Sequence, residues 1–243
     1  MKKGLYTITE NRALTKSVFL MRLAGDTSAV TAPGQFVNIA LDGLYLRRPI
    51  SVCDVSEKEI TLIYKVVGDG TEQMSRLPEG AALDLLTGLG NGFDASLSGS
   101  KPVLIGGGVG VPPLFWLAKK LLQEDKQVTV ILGFNTKDEI FFQEEFKALG
   151  ADVIVTTVDG SVGIKGFVTD ALKTLHPSYT YSCGPLPMLK AVYNTSDADG
   201  QFSFEERMGC GFGACMGCTC KTKQGHKRIC KDGPVLKKEE IVW

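Results

Sequence analysis

Four of the seven cysteines in this 243-residue chain fall within CGFGACMGCTC, Cys210 to Cys220, close to the C-terminal end. The count is odd and the crowding is local, which fits ligation of a cofactor in a reducing compartment better than a disulfide framework. Cys210, Cys215 and Cys218 are spaced C-x4-C-x2-C, and eleven residues separate Cys218 from Cys230. That is the spacing of [2Fe-2S] ligation, three close cysteines and a distant fourth. Gly211, Gly213, Ala214 and Gly217 lie between the ligands, where small residues let the backbone wrap a cluster and aim N–H groups at its sulfurs. Structural zinc is the alternative, but a four-cysteine zinc site usually shows two C-x2-C knuckles and this chain has one. Cys220 shares a face with Cys218 if the segment is extended, and is expected to be a buried or spare thiol. Cys53 reads as core. His226 reads as a surface side chain, because a Rieske centre needs two histidines.

A stretch so rich in Gly, Cys and charge has no periodic core of its own, and some 40 residues are too few to supply one. A metal centre would staple it. The rest of the chain must then carry the fold. Up to about residue 98, short alternating segments (SVFLMRL, GQFVNIAL, PISVCDV, EITLIYKVV, ALDLLTGL) are punctuated by turn residues, the pattern of an antiparallel barrel or sandwich. After SLSGSKP, the apolar runs PVLIGGG, QVTVILGF, DVIVTTV and YTYSCGP alternate with helix-length stretches, which argues for a parallel α/β sheet. The expected division is 1–98, 99–200 and 201–243. Lys plus Arg balance Asp plus Glu at 27 each, so no global field draws the chain to nucleic acid or an anionic membrane. MKKGLYTITENRALTKSVFLMRL opens with two lysines but holds no apolar run of secretory or membrane-spanning length. A cytoplasmic location is expected.

Two further motifs carry chemistry. VLIGGGVGVPPLFWLAKKLL runs from an apolar strand through Gly106, Gly107, Gly108 and Gly110 into an amphipathic helix. Such glycines let backbone N–H groups approach a pyrophosphate, and the helix presents its positive end to the same anion. Pro112 and Pro113 suit the first helical turn. The spacing is not G-x-G-x-x-G, and a tight turn alone would also explain it. In LRRPISV, Arg47 and Arg48 introduce a strand with Ser51 three positions beyond Arg48. Arginine grips a diphosphate and a serine hydroxyl can bond a flavin ring nitrogen, while solvated arginines flanking a strand are the plain alternative. IYKVVGDGT offers a tyrosine face at Tyr64 and a glycine turn ending in Thr71, to meet a ring and a phosphate, or simply a strand and its turn.

In this order, RRPIS, GGGVGVPP, CGP at Cys183 to Pro185 and the terminal C-x4-C-x2-C…C resemble the ferredoxin-reductase superfamily. Within it they are most similar to the electron-transfer subunits of class 1B dihydroorotate dehydrogenases, over nearly the whole chain. The resemblance implies an antiparallel flavin-binding β-barrel, a parallel α/β nucleotide-binding domain and a small C-terminal [2Fe-2S] domain. It implies FAD contacts at Arg48, Pro49, Ile50 and Ser51, at Ile63, Tyr64 and Lys65, and at Gly70 and Thr71. Plant-type reductases carry a flavin-stacking tyrosine just before that serine; Ile50 stands there here, which favours the dihydroorotate branch. The loop Gly106, Gly107, Gly108 and Gly110 looks like an NAD diphosphate site, and Cys183, Gly184 and Pro185 like the wall beside the nicotinamide, with Cys183 the catalytic candidate. Cys210, Cys215, Cys218 and Cys230 look like that subunit's cluster ligands.

An iron–sulfur centre moves single electrons and nicotinamide accepts a hydride, so a flavin must stand between them. With only His176 and His226 in the chain, no arranged acid–base set remains for dihydroorotate. The resemblance implies an FMN-containing catalytic subunit as partner, in a heterotetramer of two of each chain. The rival readings are a small subunit serving NAD(P)H and ferredoxin or a sulfur-reducing partner, and a non-catalytic nucleotide-binding module stapled by zinc. GFNTKDE, after the second α/β strand, has no arginine to hold a 2′-phosphate, which points to NAD over NADP.

Overall fold

The computed structural model describes all residues, 1–243. Strands β1 (Lys2–Ala13), β2 (Val18–Ala24), β3 (Phe36–Ile39), β4 (Arg48–Val55), β5 (Glu59–Lys65) and β6 (Ala82–Leu89) close into an antiparallel barrel ordered β1-β2-β5-β4-β3-β6, with helix α1 (Asp69–Ser75) between β5 and β6. The period of two in the sequence is the reason: ALDLLTGL alternates exposed or half-buried with buried positions along β6. Alternate side chains such as Ile8, Met21, Val37, Val52, Leu62 and Leu85 fill the interior. Part of the outward face of β2, β4 and β5 is covered as well. Val18, Leu20, Cys53 and Ile63 join one apolar core with Leu114, Leu117 and Leu121 of the following helix, so the barrel and the second unit share a hydrophobic surface.

That unit comprises β7 (Pro102–Gly107), α2 (Pro113–Gln123), β8 (Thr129–Phe134), α3 (Gln143–Ala148), β9 (Asp152–Thr157), β10 (Ile164–Lys165), α4 (Val168–Leu172), β11 (Tyr179–Cys183), α5 (Leu186–Thr195) and β12 (Gly200–Ser203). The sheet runs β10-β9-β8-β7-β11-β12, all parallel. Strand order reverses between β7 and β11, the switch point outside which open α/β sheets bind their ligands. Both candidate nucleotide motifs, the glycine loop after β7 and the CGP after β11, leave the sheet at that point.

The C-terminal segment continues through β13 (Thr219–Thr222), β14 (Gly225–Arg228), α6 (Ile229–Asp232) and β15 (Val235–Lys237). β15 adds to the sheet antiparallel to β12, pairing Gln201 with Lys237 and Phe202 with Leu236. The cysteine segment is therefore an excursion between two neighbouring strands of one sheet, and β12 itself spans the point between residues 200 and 201. Asn91, just beyond the barrel, clasps the returning chain: its Nδ2 donates to the Val235 carbonyl at 2.8 Å, and its Oδ1 accepts from the Val235 N–H at 3.1 Å.

Arg47 is spent on the barrel. Nη2 meets Asp84 Oδ1 at 2.9 Å, and Nη1 donates to the backbone carbonyls of Asp84 at 3.0 Å and Asn38 at 3.2 Å. Burial raises the Asp84 carboxyl, but Arg47 and Lys3 more than offset this and hold it below the ordinary 3.8. An acid held down in the folded state stabilises above its unfolded value and loses that contribution as pH falls through the folded one. Thermal midpoints should therefore drop as pH falls below about 5, and Asp84→Asn should lower stability at neutral pH while flattening that drop. A drop of equal steepness in the variant would assign the acid sensitivity to other carboxylates.

Candidate functional site

At the switch point, the register sets Cys183 beside Gly106. Glycine is required here by crowding on one side and by approach on the other. A Cβ on Gly110 would collide with the Cys183 carbonyl and one on Gly107 with the Met188 sulfur, whereas Gly108, at φ +52°, has nothing within 4 Å of its Cβ position. The loop is thus packed against β11 and open at Gly108, beside the start of α2, where an anion has room to approach. Pro112 is the N-cap of α2 and Pro113 its first residue, where a missing N–H costs nothing. Cys183 is 9% exposed. Burial pushes its thiol up to about 12, with the Ser203 hydroxyl partly opposing. Burial therefore favours the neutral thiol over a thiolate nucleophile. Gly184 is half-buried and Pro185 exposed at the mouth.

On the barrel, Arg48, Pro49, Ile50 and Ser51 are all half-buried along β4. The register opposes Ser51 to Phe36, Ile50 to Val37 and Pro49 to Asn38. Phe36 belongs to the apolar cluster outside the barrel and Ile50 packs with the one inside, so Ser51 and Pro49 face outward and the Ile50 side chain inward. Arg48 donates to the Leu46 carbonyl and lies against Gly70, where a Cβ would strike its guanidinium. The side chains of Tyr64 and Thr71 are engaged within the protein. Tyr64 is 2% exposed, stacks on Phe19 at 5.9 Å and donates from its hydroxyl to Asn11 Oδ1 at 3.1 Å, so its ring faces the barrel interior and leaves only backbone for a cofactor. Period two forces this, because Ile63 takes the outward position and packs against the second unit. Thr71 Oγ1 accepts from Val67 N at 2.9 Å and donates to the Gly68 carbonyl at 3.0 Å, so the hydroxyl closes the turn that was expected to meet a phosphate. Lys65 is exposed.

The four spaced cysteines come together. Cys210 N donates to Cys215 Sγ at 3.4 Å, Ala214 N to Cys210 Sγ at 3.2 Å, and Cys230 N to Cys218 Sγ at 3.4 Å. Gly211 at φ +79° and Gly213 at φ +92° supply the turns that aim these N–H groups inward. Burial works against ionisation of Cys210, yet the N–H groups of Cys215, Phe212 and Ala214 with the Cys215 thiol bring it down to about 6. Burial, then Cys218 and Cys210, push Cys230 up to about 12, so a metal must displace that proton on binding. Backbone N–H to sulfur bonds link Cys210 with Cys215 and Cys218 with Cys230. A tetrahedral zinc site needs four donors around one ion, while a binuclear cluster takes two thiolates at each iron. The residues fit the latter. Arg228 braces the loop, with Nη1 donating to the Gly213 carbonyl at 2.9 Å and Nε pairing with Asp232 at 2.9 Å. Cys220 sits half-buried on β13 opposite Lys227, His226 is exposed, and Cys53 is buried.

Residues 205–242 match the iron-sulfur cluster binding domain of dihydroorotate dehydrogenase B, and residues 104–194 match the oxidoreductase NAD-binding domain. The chain is 44% identical to the dihydroorotate dehydrogenase B (NAD(+)), electron transfer subunit of Fusobacterium nucleatum subsp. nucleatum, over 97% of this chain and 96% of that one. The chain belongs to this family of electron transfer subunits. The Bacillus pumilus member is 42% identical, over 99% of this chain and 98% of its own. Among solved structures, a chain of the NADH-dependent reduced ferredoxin-NADP oxidoreductase superposes with a TM-score of 0.89 at 31% identity, covering 99% of this chain and 90% of that one. A ferredoxin NADP+ reductase from Neisseria gonorrhoeae, with FAD and NADP bound, shares the fold at a TM-score of 0.69 and 17% identity, over 80% of this chain and 90% of its own.

Sequence reasoning passed over Arg228, Asp232, Asn91 and Asn38. Only Asn38 left a signal, as a lone amide inside the apolar run GQFVNIAL. Replacing Cys210, Cys215, Cys218 or Cys230 by serine should each reduce bound iron and acid-labile sulfide at least several-fold, while Cys220→Ser keeps both. Loss with Cys220→Ser and retention with Cys230→Ser would reverse the assignment of the fourth ligand. Gly110→Ala should cost about 1–3 kcal/mol of stability by overpacking against Cys183 and raise the KM for NADH. A stable variant with unchanged KM would show that the loop does not approach the nucleotide.

Proposed function

We propose that this chain relays electrons from the FMN of a dihydroorotate-oxidising partner, through [2Fe-2S] and FAD, to NAD+ in pyrimidine biosynthesis. The observation that carries the reading is the joining of the three motif regions. The carbonyl of Cys210 accepts from Asn38 on β3 at 3.3 Å, β3 pairs with β4 along Arg48 to Ser51, and Cys183 lies in β11, next to the strand that leads into the cluster segment. When bound, FAD exchanges a hydride with nicotinamide and single electrons with the cluster.

The protein's own groups have simpler tasks. The N–H groups of Gly107 to Gly110 hold the diphosphate of the nucleotide, and the neutral thiol of Cys183 with Gly184 and Pro185 forms an uncharged wall that limits water beside the reacting carbon. Arg48 neutralises the flavin diphosphate, Ser51 and Pro49 bound the ring, and the backbone of Ile63 to Lys65 and Gly70 completes the cradle. The four thiolates, with their N–H donors, stabilise the charge of the reduced cluster. His176, between α4 and β11, and His226, on β14, are both exposed, which supports placing dihydroorotate chemistry on the partner.

We assign the partner as an FMN-containing catalytic subunit in a heterotetramer of two of each chain, in the cytoplasm; no helix of this chain is long and apolar enough to cross a membrane. We take residues 1–98, 99–200 and 201–243 as its functional segments. The partner's contact is assigned to the exposed, apolar side of the cluster loop, where Phe212 is 43% and Met216 53% exposed beside the exposed Cys215. The likeness to the NADH-dependent ferredoxin-NADP oxidoreductase chain supports one rival, a subunit serving ferredoxin, and co-purification from the host separates the two by the partner recovered.

The isolated protein should oxidise NADH with an artificial acceptor, prefer it to NADPH, and fail to oxidise dihydroorotate until the FMN subunit is added. Phe212→Asp should weaken assembly at least tenfold by gel filtration or titration, with the cluster spectrum intact. Dihydroorotate oxidation by this chain alone, free of FMN, would overturn the proposal.

A further inference from the structure

Asn38 is 1% exposed, in the middle of the four-residue strand β3, where every other residue is apolar. Its two neighbours Val37 and Ile39 point into the barrel core, so the amide points out of the barrel. On that outer side Nδ2 donates to the carbonyl of Cys210, at 3.3 Å. The cluster loop is shaped to receive it: Gly211 has φ +79°, and any Cβ there would run into the Asn38 amide. Arg47, braced on Asp84, fixes the Asn38 backbone from behind through its carbonyl at 3.2 Å. A register slip between β3 and β6 falls between Phe36 and Asn38, and such bulges re-aim side chains beside functional sites.

The other end of the amide is unspent. Asn38 Oδ1 is buried and has no hydrogen-bond donor in the protein. A buried amide oxygen left without a donor is costly, and native proteins seldom tolerate one without a ligand or solvent to satisfy it. The cross-strand neighbour of Asn38 is Pro49, one residue from Arg48 and two from Ser51, so this oxygen lies on the barrel face to which the flavin is assigned.

We propose that Asn38 is a positioning residue that ties the cluster to the flavin, its Nδ2 holding the backbone of the ligand Cys210 and its Oδ1 accepting a hydrogen bond from an N–H of the bound FAD ring. The inference rests on the functional reading above. One amide of fixed length then sets the spacing of the two redox sites, and occupancy of the flavin site is felt at the cluster loop.

The test compares wild type with Asn38→Leu, which fills nearly the same space without polar atoms, and with Asn38→Ala. Three quantities are measured: iron and acid-labile sulfide content, the dissociation constant of FAD by fluorescence titration of the deflavinated protein, and the electron paramagnetic resonance spectrum of the dithionite-reduced cluster with and without FAD. Both variants should bind FAD about tenfold more weakly, the loss of one hydrogen bond, and the spectral change that FAD produces in wild type should shrink or vanish. Asn38→Leu with FAD affinity within twofold of wild type and an unaltered FAD-dependent spectrum overturns the proposal. If Asn38→Leu fails to assemble a cluster, the same comparison on Asn38→Ala decides it. A wild-type protein lacking flavin affinity or iron would instead refute the functional reading, so the two failures are distinguishable.

Discussion

The antiparallel pairing of β15 with β12 is the constraint on which the cluster depends. A segment with no apolar periodicity, held at one end, would lose too much conformational entropy on ordering. Here both ends are hydrogen-bonded into neighbouring strands of one sheet, and Asn91 fastens the return to the barrel. The ends are therefore brought together by the sheet, and the excursion carries little additional closure cost. Cys218 and Cys230 are each 2% exposed. They sit in the same apolar cluster as Phe36 of the barrel and Ile105 and Ile131 of the sheet, so half of the proposed ligand set is anchored in the core and the other half, Cys210 and Cys215, is carried on the outer loop.

A second consequence concerns the relation of barrel to sheet. Because Val18, Leu20, Cys53 and Ile63 bury their side chains against α2, and Lys119 of α2 meets Asp54 of β4 at 3.0 Å, the two units are held by a continuous core. Electron transfer depends on fixed spacing between centres, and a shared hydrophobic surface holds that spacing better than a hinged polar contact would. The switch point of the sheet then opens beside the outward face of the barrel, and the strand pair β11 and β12 links Cys183 to the cluster segment.

The chemistry assigned to Cys183 follows from burial more than from residue type. A cysteine at a nucleotide site invites a reading as a nucleophile, but desolvation keeps this thiol protonated. What it offers is size, polarisability and an uncharged surface. Cys210 is the opposite case, a sulfur surrounded by N–H groups and already disposed to carry negative charge. The two thiols differ because the backbone presents N–H donors to Cys210, while burial dominates at Cys183.

Much was legible in the sequence because it is written in local patterns. Period-two alternation specified an antiparallel barrel or sandwich, the strand–glycine–helix run a turn between strand and helix, and C-x4-C-x2-C with a distant cysteine the spacing of an iron–sulfur site, since spacing along a tight loop is set by chain geometry. What remained illegible involves residues far apart in the chain. The inward aim of Tyr64 depends on which face of β5 meets α2, and the engagement of Arg47, but not Arg48, depends on Asp84 lying across the barrel. The return of VLK to the sheet is invisible in three residues whose only distinction is their partner. Asn38 and Cys210 stand 172 positions apart, and no local pattern announces a hydrogen bond between them. Sequence alone determined which cofactor chemistry this chain can hold, because ligand types and glycines are local requirements; the tertiary structure alone decided how the sites are spaced, because spacing is set by packing between segments that never meet along the chain.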